Sequence, residues 1–340
     1  MVLGLLMFYL LLVVRNAWVS DDAFITFRPV ENFLAGYGLG YNPFVRVQAF
    51  THPLWMLLIS AAYFLLRLFI PYSPNSLYYV AIFLSLICSF TTIYLLAIKI
   101  SRPNVLSIAV PILILSLSKA FVDFSTSGLE NPLTHLLIVL FVWVYFSNSE
   151  NLLLLTFLSA LIALNRIDAF LLVAPALLFA LWNSRQRYQA LLKSVIGFSP
   201  IIAWEIFSLF YFGFPFPNTA YAKLDTGIQG ILLLQQGFDY ILNSINWDPV
   251  TIFLIGFAGV LLYINGRTSK VTYLYLGVLI YIIYVIKIGG DFMSGRFLTA
   301  PLLVSVAIIT EVLLSKKILL IVLGISILLG GFSIRSSLLA

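Results

Sequence analysis

The sequence predicts an all-α protein that crosses a membrane many times. Hydrophobic residues make up 62% of the 340 residues and charged residues only 9%, and the mean hydropathy is +1.07. Apolar runs recur from one end of the chain to the other, and only helices satisfy their own backbone hydrogen bonds inside lipid. The composition therefore predicts a bundle of membrane helices rather than a soluble domain.

The apolar runs predict about eleven transmembrane helices, since a span needs roughly 20 apolar residues and several of the runs fall somewhat short. The first run lacks a basic start and a small-residue cleavage site, so it is predicted to be a retained helix and not a signal peptide. The predicted helices are 2–19, 77–99, 104–118, 132–146, 152–164, 169–182, 190–212, 250–265, 271–287, 298–314 and 317–333.

Segment 53–70 is apolar enough to span, but it begins at Pro53 and ends between Arg67 and Pro71. If the segment lies on the membrane surface and the N-terminus is cytoplasmic, the basic clusters fall in cytoplasmic loops, as expected for Lys and Arg. If the segment spans, every later cluster moves outside. The charge pattern favours the surface helix. The clusters are Lys99 with Arg102, Arg185 with Arg187 and Lys193, Arg267 with Lys270, and Lys316 with Lys317.

The same topology places the acidic residues on the outer side, except Glu150, Glu205 and Glu311. Acids contribute little to topology, so their clustering indicates a polar chamber on the outer face. We interpret residues 1–340 as a single membrane domain with two large outer loops, 20–76 and 213–249.

Composition excludes several kinds of site. Cys88 is the only cysteine, and the two histidines, His52 and His135, are far apart in the chain. A disulfide or a Cys-based or His-based metal site is therefore not expected. The net charge of +6 fits cytoplasmic-side Lys and Arg facing membrane lipids and gives no reason to invoke nucleic acid.

Asp21 and Asp22 directly follow the first apolar run. Two adjacent carboxylates at a bilayer edge are costly, and such residues are a functional-site hypothesis by default. On spacing alone, the pair is also compatible with a solvated loop. The outer segments add Arg and Lys for a phosphate, and carboxylates and amides for hydroxyl groups, with one carboxylate as a base.

Several ordered motifs give the chain a family resemblance. Residues 21–28 read D-D-A-F-I-T-F-R, residues 36–43 read G-Y-G-L-G-Y-N-P, and residues 50–55 read F-T-H-P-L-W. S-G-L-E-N-P follows at 127–132 and L-N-R-I-D-A at 164–169. Together with segments 218–223 and 290–297, the set resembles the GT-C glycosyltransferases, and most closely the branch that contains the mycobacterial terminal β-(1→2)-arabinofuranosyltransferases.

The resemblance implies a polyprenyl-phosphate-linked sugar donor and an acceptor glycan, lipid or protein at the outer face of the cell membrane. It implies inverting transfer with an aspartate of the first outer loop as base, and amphipathic helices of that loop on the membrane. The predicted catalytic residues are Asp21 and Asp22, without a metal or other cofactor. The predicted substrate-binding residues are Arg28, Asn42, His52, Glu130, Arg166, Asp168, Asn218, Tyr221, Lys223, Asp291 and Arg296.

The sequence departs from the family pattern at a few positions. Pro29 replaces an aromatic residue, Gln48-Ala49 replaces Glu-Gly, and Ile167 and Ala169 replace Pro and Gly. Many relatives also carry a C-terminal outer-face domain, which this chain is expected to lack. Acceptor recognition is therefore expected to differ from that of the relatives.

Alternative interpretations stay open at this point. Arg166 and Asp168 also fit a structural ion pair, and Glu130 fits the first turn of the next helix. His52 fits a local hydrogen-bonding role, and Lys223 fits snorkelling to the interface. At the level of function, the alternatives are a non-catalytic membrane subunit of a cell-envelope glycan assembly system and a lipid-linked sugar transporter or flippase. A transporter would be expected to place polar groups near mid-membrane.

Overall fold

A computed structural model describes residues 1–71, 73, 75–218, 221, 227–264, 269–312 and 315–333. Within these residues the regular secondary structure is entirely helical. The α-helices are α1 Val2–Arg15, α2 Asp21–Leu34, α3 Pro53–Arg67, α4 Ser76–Leu95, α5 Val105–Leu117, α6 Lys119–Asp123, α7 Asn131–Ser147, α8 Leu152–Asn165, α9 Phe170–Trp182, α10 Arg187–Gly197, α11 Ser199–Tyr211, α12 Gly230–Trp247, α13 Pro249–Ile264, α14 Ser269–Lys287, α15 Thr299–Glu311 and α16 Lys316–Phe332.

Most of these helices lie where the apolar runs predict them, but the prediction of one helix over 190–212 is wrong. That run forms α10 and α11, which are bent by 47° at Phe198. Pro200 explains the break, because its ring clashes with the carbonyl four residues earlier and it lacks an N–H donor. Helix α4 continues directly into a π-helical turn over Leu96–Ile100.

Both predicted outer loops contain a helix that has no long apolar run to announce it. In the first, Ser20 accepts a hydrogen bond from the Asp22 backbone N–H and so caps α2. The carboxylates of Asp21 and Asp22 in its first turn favour the positive end of the helix dipole. In the second, α12 meets α13 at a bend of 108°.

Two helical segments of the described chain, Ser76–Ile100 and Lys270–Lys287, are long and apolar enough to cross a membrane by themselves. The bent pairs α10–α11 and α12–α13 pass the same test when each is taken as one span. Shorter apolar helices surround them. The chain is thus a helical membrane protein, while the number of spans and the side on which each loop lies stay predictions.

Contacts between helix ends show which ends lie together. The Lys99 ammonium lies 5.4 Å from the Trp143 ring, near the C-terminal ends of α4 and α7. Arg102 donates to the backbone carbonyl of Glu311, at the end of α15, over 3.1 Å. These helix ends carry basic residues. The motifs lie at the opposite end of the bundle, which we call the motif end. Because α4 begins at the motif end, the helix α3 before it does not carry the chain across the bundle.

A buried non-helical segment between α6 and α7 connects the motif end to the core of the bundle. Ser125, Thr126 and Ser127 are fully buried. The Ser125 hydroxyl lies 3.0 Å from the Tyr9 hydroxyl of α1, and its carbonyl accepts from Ser89 of α4 over 3.0 Å. The bundle core therefore fixes the segment that leads directly to Glu130.

Candidate active site

Three motifs that are distant in sequence meet around Gly128. The Ser20 backbone N–H donates to the Ser127 carbonyl over 2.9 Å, and the Trp55 indole N–H donates to the Gly128 carbonyl over 3.0 Å. Gly128 has φ of +75°, and a Cβ there would lie 2.8 Å from Val19 Cγ1. The glycine thus permits both the turn and the close approach of the chain that begins α2.

Glu130 lies at the centre of a buried ionic cluster. Arg296 Nη2 donates to its two carboxylate oxygens over 3.0 and 3.3 Å. Arg166 Nη1 contacts Oε1 at 3.4 Å, and His52 Nδ1 lies 3.4 Å from Oε2. Glu130 is only 2% exposed. Four predicted substrate-binding residues, from four separate segments, are therefore brought together at one point.

The charges in this cluster set its protonation. Burial alone would raise the pKa of Glu130, but the positive charges of Arg296 and Arg166 outweigh it and hold the pKa well below its usual range. Burial lowers the pKa of His52, and both arginines add to that effect against the opposing charge of Glu130. Glu130 is therefore ionised and His52 neutral at pH 7. A neutral His52 can accept the Thr26 hydroxyl at Nε2, which lies 2.6 Å away.

Two further carboxylates complete the cluster. Asp168 accepts from Arg166 Nε and Nη2 over 2.9 and 2.7 Å, and from the Tyr281 hydroxyl over 3.1 Å. Asp291 accepts from Arg296 Nη1 over 3.4 Å. The two guanidinium groups thus contact three carboxylates. Both guanidiniums are therefore already paired with protein carboxylates.

The two arginines differ in how firmly they are held. Arg166 is paired side-on with Asp168, and its guanidinium lies 4.4 Å from the centre of the Phe297 ring. Arg296 is held most closely by Glu130, over 3.0 Å, and its contacts to Asp291 and Asn131 are both 3.4 Å. The geometry favours a structural ion pair for Arg166. Arg296 is the guanidinium that a phosphate could recruit with less disruption.

The aspartate pair lies at the start of α2, at the same end of the bundle. Asp22 and Thr26 are one helical turn apart, so Asp22 faces the side on which Thr26 meets His52. Asp21 is exposed, and its Oδ1 accepts from the Ser20 hydroxyl over 3.1 Å and from the Asp22 backbone N–H over 2.9 Å. Its carboxylate is therefore oriented by local hydrogen bonds and open to an incoming molecule.

The remaining predicted site residues belong to α2 or to the two large loops, 20–76 and 213–249. Arg28 is exposed two turns after Asp21 on α2. Asn42 is exposed in the first loop, and the Asn218 backbone N–H donates to the Gln48 carbonyl over 3.2 Å. Tyr221 is 40% exposed. Lys223 lies outside the described residues.

One cluster residue gives no functional signal in the sequence: Tyr281 looks like an ordinary aromatic residue of an apolar segment, yet it donates to Asp168. Phe297, which packs on Arg166, lies in segment 290–297, one of the motifs. Thr26 and Trp55 are not among the predicted site residues, and their position inside the motifs is the only sequence feature that indicates a role. Among the residues that the structure describes, no group of three or more His, Cys, Asp or Glu is arranged to hold a metal ion. A metal-free reaction stays a prediction.

Two curated proteins named terminal beta-(1->2)-arabinofuranosyltransferase align with the chain. The protein from Mycobacterium tuberculosis is 29% identical over 334 residues, covering 85% of this chain. The protein from Corynebacterium glutamicum is 28% identical over 336 residues, covering 84%. This chain is their homologue.

The homology confirms the resemblance drawn from the ordered motifs. The aligned regions make up 51% and 46% of the two relatives, so the chain spans about half of their length. No family model and no solved structure matches the chain. We therefore interpret the site from its own geometry, together with the similarity to the two arabinofuranosyltransferases.

Proposed function

We propose that the protein is a glycosyltransferase that moves a monosaccharide from a polyprenyl-phosphate-linked donor to an acceptor glycan, lipid or protein. The observation that carries the proposal is the convergence of Glu130, Arg166 and Arg296 with His52, which contacts Thr26 one helical turn after Asp22. Homology to two arabinofuranosyltransferases over about 85% of the chain supports the same reaction class. Arabinofuranose is accordingly the first donor sugar to test.

In this proposal Arg296 binds the donor phosphate. The phosphate leaves with the electron pair of the bond to the anomeric carbon, so negative charge grows on its oxygen. A guanidinium can match a phosphate with two parallel hydrogen bonds. One well-placed donor of this kind stabilises a transition state by about 3 kcal/mol. Arg28, on the exposed side of α2, is a second candidate for the same charge.

Asp21 acts as the general base. It accepts the proton of the acceptor hydroxyl while the acceptor oxygen attacks the anomeric carbon, on the face opposite the departing phosphate. The sugar is thus transferred with inversion. Asp22 orients the sugar from the side of α2 that faces His52. Glu130 is poorly suited as a base, because a strongly depressed pKa makes a carboxylate a weak proton acceptor.

Glu130 and Arg166 instead hold the phosphate-binding side of the site in place. Glu130 is the residue before α7. It pairs with Arg296, which precedes α15, and with Arg166, which follows α8. Its negative charge also keeps two guanidiniums close together without a bound anion. Metal ions are not needed in this scheme because the arginines supply the positive charge.

We also propose that the motif end faces the outer side of the cell membrane and that the N-terminus is cytoplasmic. This follows from the basic residues at the opposite end of the bundle, which fit cytoplasmic loops. Cysteine-accessibility labelling of Cys88→Ser protein with single cysteines at Asn42 or Glu150 tests it. Outside labelling of the first position only is expected, and the reverse pattern would refute the orientation.

The test of function is sugar transfer in membranes, comparing wild type with Asp21→Asn on a panel of radiolabelled polyprenyl-phosphate sugars. Loss of a general base is expected to lower the rate about 10²–10⁴-fold at equal protein level. Glu150→Gln is the control, because Glu150 is an exposed carboxylate at the opposite end of the bundle. This variant should keep wild-type transfer.

The other outcomes separate the competing functions. Equal transfer by wild type and Asp21→Asn would remove Asp21 from the mechanism. Absence of transfer from every donor would favour the non-catalytic subunit. Movement of labelled lipid between leaflets without transfer would favour the flippase.

A further inference from the structure

A groove of about 230 Å³ opens beside the ionic cluster, and none of the predicted site residues lines it. Its wall includes Trp18, which lies three residues before Asp21, and Gly295, which precedes Arg296. Along the chain, the groove is thus three residues from the proposed base and one residue from the proposed phosphate ligand. A second substrate held there would approach Asp21 while the donor phosphate binds Arg296.

The walls of the groove combine flat aromatic surfaces with charge. Trp18 and Trp247 are partly exposed there. The Trp18 indole N–H donates to the Asp123 carbonyl over 2.8 Å, and the ring packs edge-to-face on Phe124. The Trp18 ring is thus held in one orientation, which is what a stacking surface requires.

The polar side of the groove is an ion pair within α6, between Lys119 and Asp123. Their side chains are 15% and 26% exposed, so they are reachable from the groove. An ammonium has three N–H donors, and a carboxylate accepts on both oxygens, so both groups can bind a further hydroxyl. Asp248, by contrast, already accepts from Ser118, Thr251 and Ala120 and forms a closed floor.

We propose that this groove binds the terminal sugar ring of a glycan acceptor. The C–H face of the ring would pack on Trp18, and its hydroxyls would bond to Lys119 and Asp123. A lipid chain fits less well, because it would cover the ion pair without replacing its hydrogen bonds to water. The volume lies below the roughly 300 Å³ of typical small-ligand pockets, which suits one ring rather than a folded peptide.

This inference rests on the proposed function, since it names the acceptor of that reaction. Its test therefore begins with binding in the absence of donor. Purified full-length protein in detergent is titrated with neutral pentofuranose oligosaccharides of two to six residues, and with octyl alcohol as an apolar probe. Wild type is expected to bind an oligosaccharide and not the alcohol. Preferential binding of the alcohol would refute a sugar groove.

Substitutions then locate the binding. Trp18→Leu and Lys119→Gln are each expected to weaken binding about tenfold, the scale of one lost stacking or charged hydrogen-bond contact. Trp18→Phe keeps an aromatic face and should stay within about threefold of wild type. Trp182→Leu is the matched control, since Trp182 is 82% exposed and lies outside the groove.

Lys119→Gln keeps most of the side-chain stem and an N–H donor towards Asp123, so it tests the groove even where Trp18→Leu fails to fold. Wild-type affinity in Lys119→Gln, together with Trp18→Leu weakened no more than Trp182→Leu, would overturn the proposal.

Transfer kinetics separate this inference from the proposed function. If both hold, Trp18→Leu raises the acceptor KM about tenfold and leaves the donor KM unchanged. If transfer proceeds with an unchanged acceptor KM, the groove assignment fails and the glycosyltransferase stands. If no donor supports transfer but oligosaccharide binding depends on Trp18 and Lys119, the proposed function fails and the groove stands as a glycan-binding site.

Discussion

Replacement of Glu130 by Gln is the most direct test of the ionic cluster. Glutamine keeps the shape of the side chain and a hydrogen-bond acceptor, but it removes the negative charge between Arg166 and Arg296. Removing one partner of a buried ion pair costs about 3–5 kcal/mol. Each guanidinium here keeps a second carboxylate, Asp168 or Asp291. We therefore expect the lower end, about 3 kcal/mol.

The assay is thermal unfolding of purified protein in detergent at pH 7. A loss of about 3 kcal/mol corresponds to a decrease in Tm of roughly 6 °C. Glu150→Gln is the control, because Glu150 is exposed at the other end of the bundle, and its Tm should not change. In the double variant Glu130→Gln/Arg296→Gln, the loss should be smaller than the sum of the two single losses by about 1 kcal/mol.

The pH dependence provides an independent check with a defined sign. The pKa of Glu130 is depressed in the folded protein, so its stabilisation is fully present above its unfolded pKa of 4.5 and is lost as the pH falls below that value. The Tm difference between wild type and Glu130→Gln should therefore shrink from pH 7 to pH 3.5. A difference below 1 °C at pH 7, or one that widens in acid, would refute the cluster as described.

Three further predictions concern the backbone, the arginines and metal ions. Gly128→Ala should destabilise the protein by about 2 kcal/mol or more, because φ is positive and the new Cβ meets Val19; Gly256→Ala, with nothing within 4 Å, should not destabilise it in the same melt. Arg296→Lys should lower kcat/KM for the donor about 100-fold, whereas Arg166→Lys should mainly lower Tm; the reverse result would exchange their roles. Transfer rates should be unchanged after EDTA treatment, and recovery on adding a divalent ion would show a metal requirement.

The sequence was sufficient to predict much of the helical layout, because long apolar runs allow few other structures in lipid. It was insufficient where helices are short or polar. In the helix Asp21–Leu34, polar residues such as Asp22, Arg28 and Glu31 interrupt the apolar ones, so no continuous run announces it. The helix Gly230–Trp247 is interrupted in the same way, so the sequence predicts a loop there.

The candidate site was predicted as a set of residues but not as an arrangement. Motif order identified Glu130, Arg166 and Arg296, yet spacing alone left Glu130 as a plausible helix-start residue. Its role as the shared partner of both arginines depends on contacts more than 30 residues apart in the chain. Such contacts have no local signal, so sequence reasoning could not rank these residues.

The sequence by itself determined that this is a membrane protein of helices with chemistry at their ends, and it identified the family likeness. Those properties depend on local hydrophobicity and on short motifs, which can be inspected one segment at a time. Tertiary structure decided that Glu130 is buried between two guanidiniums, that Asp21 is exposed, and that a groove runs from Trp18 to Gly295. These features arise because packing brings distant segments together, and the ionisation and accessibility of a group depend on all of its neighbours.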